Sequence, residues 1–204
     1  MRFEKTMTDT VRVAIVGHSF IRRLGEFMDK NNIVNFNLDK EVFSICIRGR
    51  GGLRVTHLAR DPSLLSFPAN TPDICFLQIG ENDITKDLNP QKLAMDIVAV
   101  ARYLHDGVGV KRVLIGQLLR RLPYVAGQHF NASVIEVNKQ LRAMTEQLEG
   151  VVFWSNRGFW QDLTFLGPDG VHLLSTPSNS QPMRKFLRSI RNSILITSKQ
   201  LRPV

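Results

Sequence analysis

Four short stretches of the chain carry side chains suited to acyl transfer. Ser19 follows Gly17 and His18; Asn82 and Asp83 stand near the end of QIGENDI (78–84); Asp169 and His172 lie in GPDGVHL (167–173); and the pair Gly51-Gly52 sits within IRGRGGLRV (47–55). A serine hydroxyl attacks a carbonyl only when a base takes its proton, a carboxylate orients that base, and donors face the oxyanion that develops. One tight turn through Gly170 can bring the His172 imidazole over Ser19 with the Asp169 carboxylate behind it. The Asn82 amide is a neutral donor, and glycines at 51 and 52 let a backbone N–H approach a bound molecule closely. Each piece also has a plainer reading. A Ser between strand and helix is a common helix cap, as is Asn-Asp, and Asp-Gly is a common turn.

The elements around these residues alternate. Short apolar runs at 11–17, 41–47, 73–80, 111–118 and 150–155 read as buried strands. Between them apolar residues recur at helical spacing: Phe20, Leu24, Phe27 and Met28; Leu93, Ile97, Val100, Ala101 and Leu104; Val134, Val137, Leu141, Met144 and Leu148. Pro90 and Pro182 suit first helical positions. The expected fold is a three-layer α/β domain, a flavodoxin-like parallel five-stranded sheet of order 2-1-3-4-5 with helices on both faces. In such a sheet ligands bind beyond the carboxyl ends of the strands where the order reverses, beside the first strand, which is where Ser19 falls.

The 204 residues suit one domain, expected over 11–196 with tails at 1–10 and 197–204. No apolar run reaches the about 18 residues of a membrane span, and the first ten residues lack a signal-peptide core, so an intracellular protein (cytoplasmic or nuclear) is expected. Cys46 and Cys75 fall inside strands expected to be buried, where a thiol serves as a small apolar side chain, and no Cys/His cluster has metal spacing. Neither a metal nor a cofactor is expected. The net charge of +9 is concentrated late: no acidic residue follows Asp169, while Arg184, Lys185, Arg188, Arg191, Lys199 and Arg202 do. On a helix of 100° per residue Met183, Phe186, Leu187, Ile190 and Ile194 share a buried arc, and Arg184, Arg188 and Arg191 a neighbouring arc facing solvent. Such a stripe suits nucleic acid or an anionic membrane surface, or is simply solvated. Arg48, Arg50 and Arg54 are either solvated loop charges or attract an anionic ester, and His57, His105 and His129 have no partner at a telling spacing.

GRGGLR is neither a dinucleotide fingerprint nor a phosphate loop, and Ile21 stands where the nucleophile elbow of α/β-hydrolases has Gly. The four blocks, in their order, resemble instead the GDSL or SGNH hydrolase family. They are Gly17-His18-Ser19, Gly51-Gly52, Gly80-x-Asn82-Asp83 and Asp169-x-x-His172, within a resemblance spanning about 11–195. The resemblance implies a hydrolase of carboxylic esters (esterase, lipase or deacetylase-like) acting on a small ester or acyl substrate. Its triad would be Ser19, His172 and Asp169, and its oxyanion hole the N–H of Ser19, the N–H of Gly52 or Gly51, and the Asn82 side chain. More narrowly, GHSFIRRL, GQLLRR and DGVHL resemble the esterase-type domains carried by some animal retroelements. The alternative implied by that narrower likeness is a weakly active or inactive module of a mobile element.

Two features depart from the family pattern. His18 replaces the usual Asp beside the nucleophile, and no Gly precedes the last helix. Neighbours in a tight turn point in different directions, so His18 is not expected to act as the base.

Overall fold

The computed structural model describes residues 10–67 and 70–201. Five strands, β1 (Val11–Gly17), β2 (Phe43–Gly49), β3 (Ile74–Gln78), β4 (Arg112–Gly116) and β5 (Val151–Trp154), form one all-parallel sheet of order 2-1-3-4-5, as expected. Six helices connect or follow them: α1 (Ser19–Lys30), α2 (Val55–Arg60), α3 (Pro90–Arg102), α4 (Pro123–Ala126), α5 (Gln128–Thr145) and α6 (Gln181–Leu201).

The alternation of side chains along the strands divides the interior in two. Val13, Ile15, Ile74, Phe76 and Leu114 point into a core closed by α1 and α6. Their neighbours Ala14, Val16, Cys75, Leu77, Val113 and Ile115 point the other way, into a core closed by α2, α3 and α5. Both faces of the central strands are therefore dry, which is why these strands read as continuous apolar runs. The apolar spacing of α1 puts Phe20, Ile21, Leu24, Phe27 and Met28 inside, and α6 buries Met183, Phe186, Leu187, Ile190 and Ile194. Each such side chain contributes about 1.5–3 kcal/mol relative to exposure.

The structure corrects several expectations. The second strand runs 43–49 rather than 41–47 and, as the sheet's edge, is only partly covered. Cys46 is consequently exposed, whereas Cys75 is buried and desolvation pushes its thiol up to about 12. The loop at 61–72 contains a turn of 3₁₀ helix at Pro62–Leu65. Helix α6 extends to Leu201, and residues 1–9 and 202–204 lie outside the described residues. Arg184 and Arg188 are exposed, as expected of the arginine stripe, while Arg191 is only partly so and its Nε is closed off from water with no partner among the described residues. Among the described residues no helix is long and apolar enough to cross a membrane.

The edge where the chemistry gathers is held by close backbone packing. Gly17 and Gly49 are paired at the ends of β1 and β2, and α1 starts directly above them. A Cβ on Gly49 would lie 2.2 Å from the Arg22 backbone nitrogen, so only glycine lets the end of β2 pass beneath α1. Gly49→Ala should therefore lower stability in urea unfolding by about 1–3 kcal/mol. Gly51→Ala, whose nearest neighbour is the flexible Arg22 side chain at 3.5 Å, should change it by no more than about 0.5 kcal/mol. Equal midpoints for the two variants would refute this packing argument.

Candidate active site

The start of α1 leaves one backbone donor free. The Phe20 N–H donates to His18 Nδ1 (3.3 Å), while the N–H groups of Ile21 and Arg22 donate to the His18 carbonyl (3.0 and 3.1 Å). Among the described residues the Ser19 N–H has no acceptor. It stands at the positive end of a helix dipole, on the residue whose hydroxyl is in question.

That hydroxyl meets the imidazole expected from the sequence. Ser19 Oγ lies 2.9 Å from His172 Nε2, and His172 Nδ1 lies 2.8 Å from Asp169 Oδ2. Burial opposes the charge on Asp169, but the His172 N–H, the His172 ring and the Val171 N–H outweigh it and hold the carboxyl at about 2. An ionised Asp169 accepts from Nδ1–H, so Nε2 carries the lone pair that faces the serine proton. Desolvation, joined by the positive charges of Arg23 and Arg121, lowers the His172 pKa against the raising influence of Asp169. The ring is mostly covered, at 18% side-chain exposure, whereas Asp169 is 44% exposed and also meets Arg23 Nη2 at 3.6 Å.

Local chemistry shapes the loop that carries both residues. Asp169 Oδ1 accepts the N–H groups of Val171 (3.0 Å) and His172 (2.9 Å), an Asx turn. Gly170 adopts φ +65°, a left-handed conformation that glycine takes without strain. The Leu122 N–H donates to the Gly170 carbonyl (2.8 Å), so the loop after β4 supports the histidine loop from below.

On the other side of Ser19 two further blocks are stitched together. Leu53 N–H bonds to Arg50 O (3.3 Å) across a turn with Gly51 and Gly52 at its centre, and Gly52 takes φ +67°. The Gly52 N–H has no acceptor among the described residues. Asp83 holds this turn by accepting the Val55 N–H at 3.1 Å on each carboxylate oxygen, and burial raises the Asp83 pKa. Asn82 Nδ2 donates to Leu53 O (3.1 Å) while its Oδ1 accepts from Arg121 Nη2 (3.0 Å). These two partners fix which end of the amide is which, and leave one Nδ2 hydrogen unassigned.

The sequence reading missed the pair beneath this site. His18 is buried, and its Nε2 lies 2.6 Å from Glu81 Oε2, with the two side chains 1% and 0% exposed. Because Nδ1 caps Phe20, the ring proton sits on Nε2 and the buried carboxylate accepts it. The other carboxylate oxygen accepts from Gln78 Nε2 (2.8 Å) and the Leu119 N–H (3.1 Å). Burial works against ionisation of Glu81, yet these contacts, led by that with His18, bring its pKa below the usual value. The available signal was a doublet: an acid absent at 18 and an acid present at 81, on adjacent strand ends. Arg121 was also missed. It lies over the Phe130 ring at 4.5 Å, feels the Glu81 charge, and holds Asn82.

Three other arginines are engaged around the second block. Arg48 is tied to Leu64 O, Ser66 O and the Phe67 ring, Arg50 meets Asp61 at 3.5 Å, and Arg54 caps α2. His57 and His105 bond to nearby backbone, the Arg54 N–H and Val110 O. Among the described residues no group of three or more His, Cys, Asp or Glu is placed to hold a metal.

Solved structures share this architecture. A carbohydrate esterase family 3 protein from Talaromyces cellulolyticus superposes with a TM-score of 0.65 at 17% identity, over 94% of this chain and 99% of that one. The chain has the fold of SGNH hydrolases. A member of the lipolytic G-D-S-L family from Veillonella parvula gives 0.63 at 19% identity over 89% and 96%. A catalytic mutant of an acetylxylan esterase from Geobacillus stearothermophilus gives 0.63 at 12% identity over 92% and 96%. No protein-family model and no curated protein matches the sequence.

Two outcomes are expected of these contacts. Titrated by NMR, the His172 ring should show a pKa below 6.5, lower again in Asp169→Asn because the carboxylate favours the imidazolium; a value of about 7 or higher would overturn the balance described. His18→Asn keeps an acceptor for Phe20 but cannot reach Glu81, and should cost about 3 kcal/mol in urea unfolding. Adding Glu81→Gln, which removes the buried charge, should recover part of that loss, and no recovery would mean that the carboxylate is not the source of the cost.

Proposed function

We propose that the chain is a serine-type hydrolase of carboxylic esters. The observation that carries this reading is the continuous line from Asp169 through His172 to Ser19 Oγ, ending at a residue whose own N–H is unoccupied. Ser19 Oγ attacks the acyl carbonyl as His172 Nε2 takes its proton. The oxyanion that forms meets the Ser19 N–H, the Gly52 N–H and the spare hydrogen of Asn82 Nδ2. His172 returns the proton to the departing alcohol, and Asp169 fixes the ring and stabilises its charged form. Water, deprotonated in turn by His172, then releases the acid. Every step is carried by side chains and backbone of this chain.

The neighbours support the reading by what they are described as: a carbohydrate esterase, an acetylxylan esterase and a lipolytic protein. The narrower likeness to esterase-type domains of animal retroelements rests on the sequence stretches alone. A module that binds nucleic acid or an anionic membrane through Arg184, Arg188 and Arg191 rests on the charge pattern of α6 alone.

A fluorophosphonate probe should label the folded protein at Ser19, and Ser19→Ala and His172→Ala should each abolish hydrolysis of a short-chain aryl ester. Asn82→Ala should lower kcat by about 10²- to 10³-fold, the typical loss for one oxyanion donor. Unchanged turnover in Ser19→Ala would refute the mechanism.

A further inference from the structure

We infer that this enzyme prefers esters whose leaving alcohol carries a negative charge, bound in the groove between α1 and the start of α6. The inference rests on the esterase reading above and specifies its substrate class. The groove, of about 540 Å³, is bordered by Arg23 of α1 and by Leu173, so it adjoins the Asp169–His172 side of Ser19. The side of the site follows from the chemistry. His172 must hand its proton to the leaving oxygen, so the alcohol lies on the imidazole side, whereas the acyl oxygen turns toward Gly52 and Asn82.

The charge lining this groove is one-sided. Arg22, Arg23, Lys30 and Arg184 face Glu26 alone. Glu26 is engaged by Arg22, and Arg23 is drawn to Asp169. Among the described residues Lys30 and Arg184 meet no carboxylate. Arg184 is nonetheless held in place, by Ser180 Oγ (3.2 Å), Asn31 Oδ1 (3.3 Å) and the face of Phe27 at 5.5 Å. A guanidinium steadied by neutral acceptors keeps its full charge for a ligand. The amino end of the 21-residue helix α6 adds partial positive charge at the same rim. Phe27, Leu173 and Met183 supply apolar wall for the body of the alcohol.

The test compares 4-acetoxybenzoate with methyl 4-acetoxybenzoate, which share an acyl group and differ in the charge of the leaving phenol. A second pair, mono-4-nitrophenyl glutarate against 4-nitrophenyl butyrate, moves the charge to the acyl side. In the first pair the charged-over-neutral ratio of kcat/KM should fall about fivefold in Lys30→Gln, in Arg184→Gln, and in the unmodified protein between about 50 and about 500 mM NaCl. The ratio in the second pair should stay constant. A leaving-side ratio that ignores both substitutions and salt, or an effect confined to the acyl-side pair, overturns the inference while leaving an esterase. Absence of turnover of all four esters removes the esterase reading, and the inference with it.

Discussion

A carboxylate shut away from water must find all its donors inside the fold, and Glu81 finds them on three adjacent strand ends. His18 follows β1, Gln78 ends β3, and Leu119 follows β4. An unpaired charge in such a place would cost several kcal/mol, so these three ends are held to one mutual geometry. The same histidine caps α1, and the order in which the first amides of that helix are taken up leaves the Ser19 N–H vacant. One buried pair thereby links the topology of the sheet to the placement of a single serine.

The loops above this anchor are tied to one another as well as to the sheet. Asp83 holds Val55, Asn82 holds Leu53, and Arg121 holds Asn82, so the turn of Gly51 and Gly52 depends on residues after β3 and β4. On the far side Leu122 supports Gly170, and through it the loop of Asp169 and His172. The segment after β4 thus braces both flanks of Ser19. Hydrogen bonds of this kind leave little freedom for the donors that a reaction would require, and preorganised donors are the ones that stabilise a transition state.

Positive charge surrounds the site without entering it. The charges of Arg23 and Arg121 disfavour protonation of His172, while Asp169 opposes them and is itself held ionised by backbone N–H groups. The result is an imidazole kept neutral near neutral pH, in the tautomer that accepts a proton from Ser19. The cations of the groove beside it act on a different quantity, the charge of whatever lies next to the leaving oxygen.

The sheet order, the inward faces of α1, α3, α5 and α6, and the nearness of Ser19, Asp169 and His172 were all legible in the sequence. Apolar periodicity and the rule for strand-end sites depend on spacing along the chain, and spacing is what a sequence records. The exposure of Cys46 was not legible, because an edge strand and an inner one differ in what covers them rather than in their own residues. The partial covering of Arg191 was hidden for the same reason: a helical arc is computed for an isolated helix, and the neighbours of α6 decide which part meets water. His18 beside Glu81, and Arg121 behind Asn82, join residues 63 and 39 positions apart. No local pattern encodes such pairings; they arise only when parallel strands bring their carboxyl ends to one edge and burial forces each charge there to find a partner.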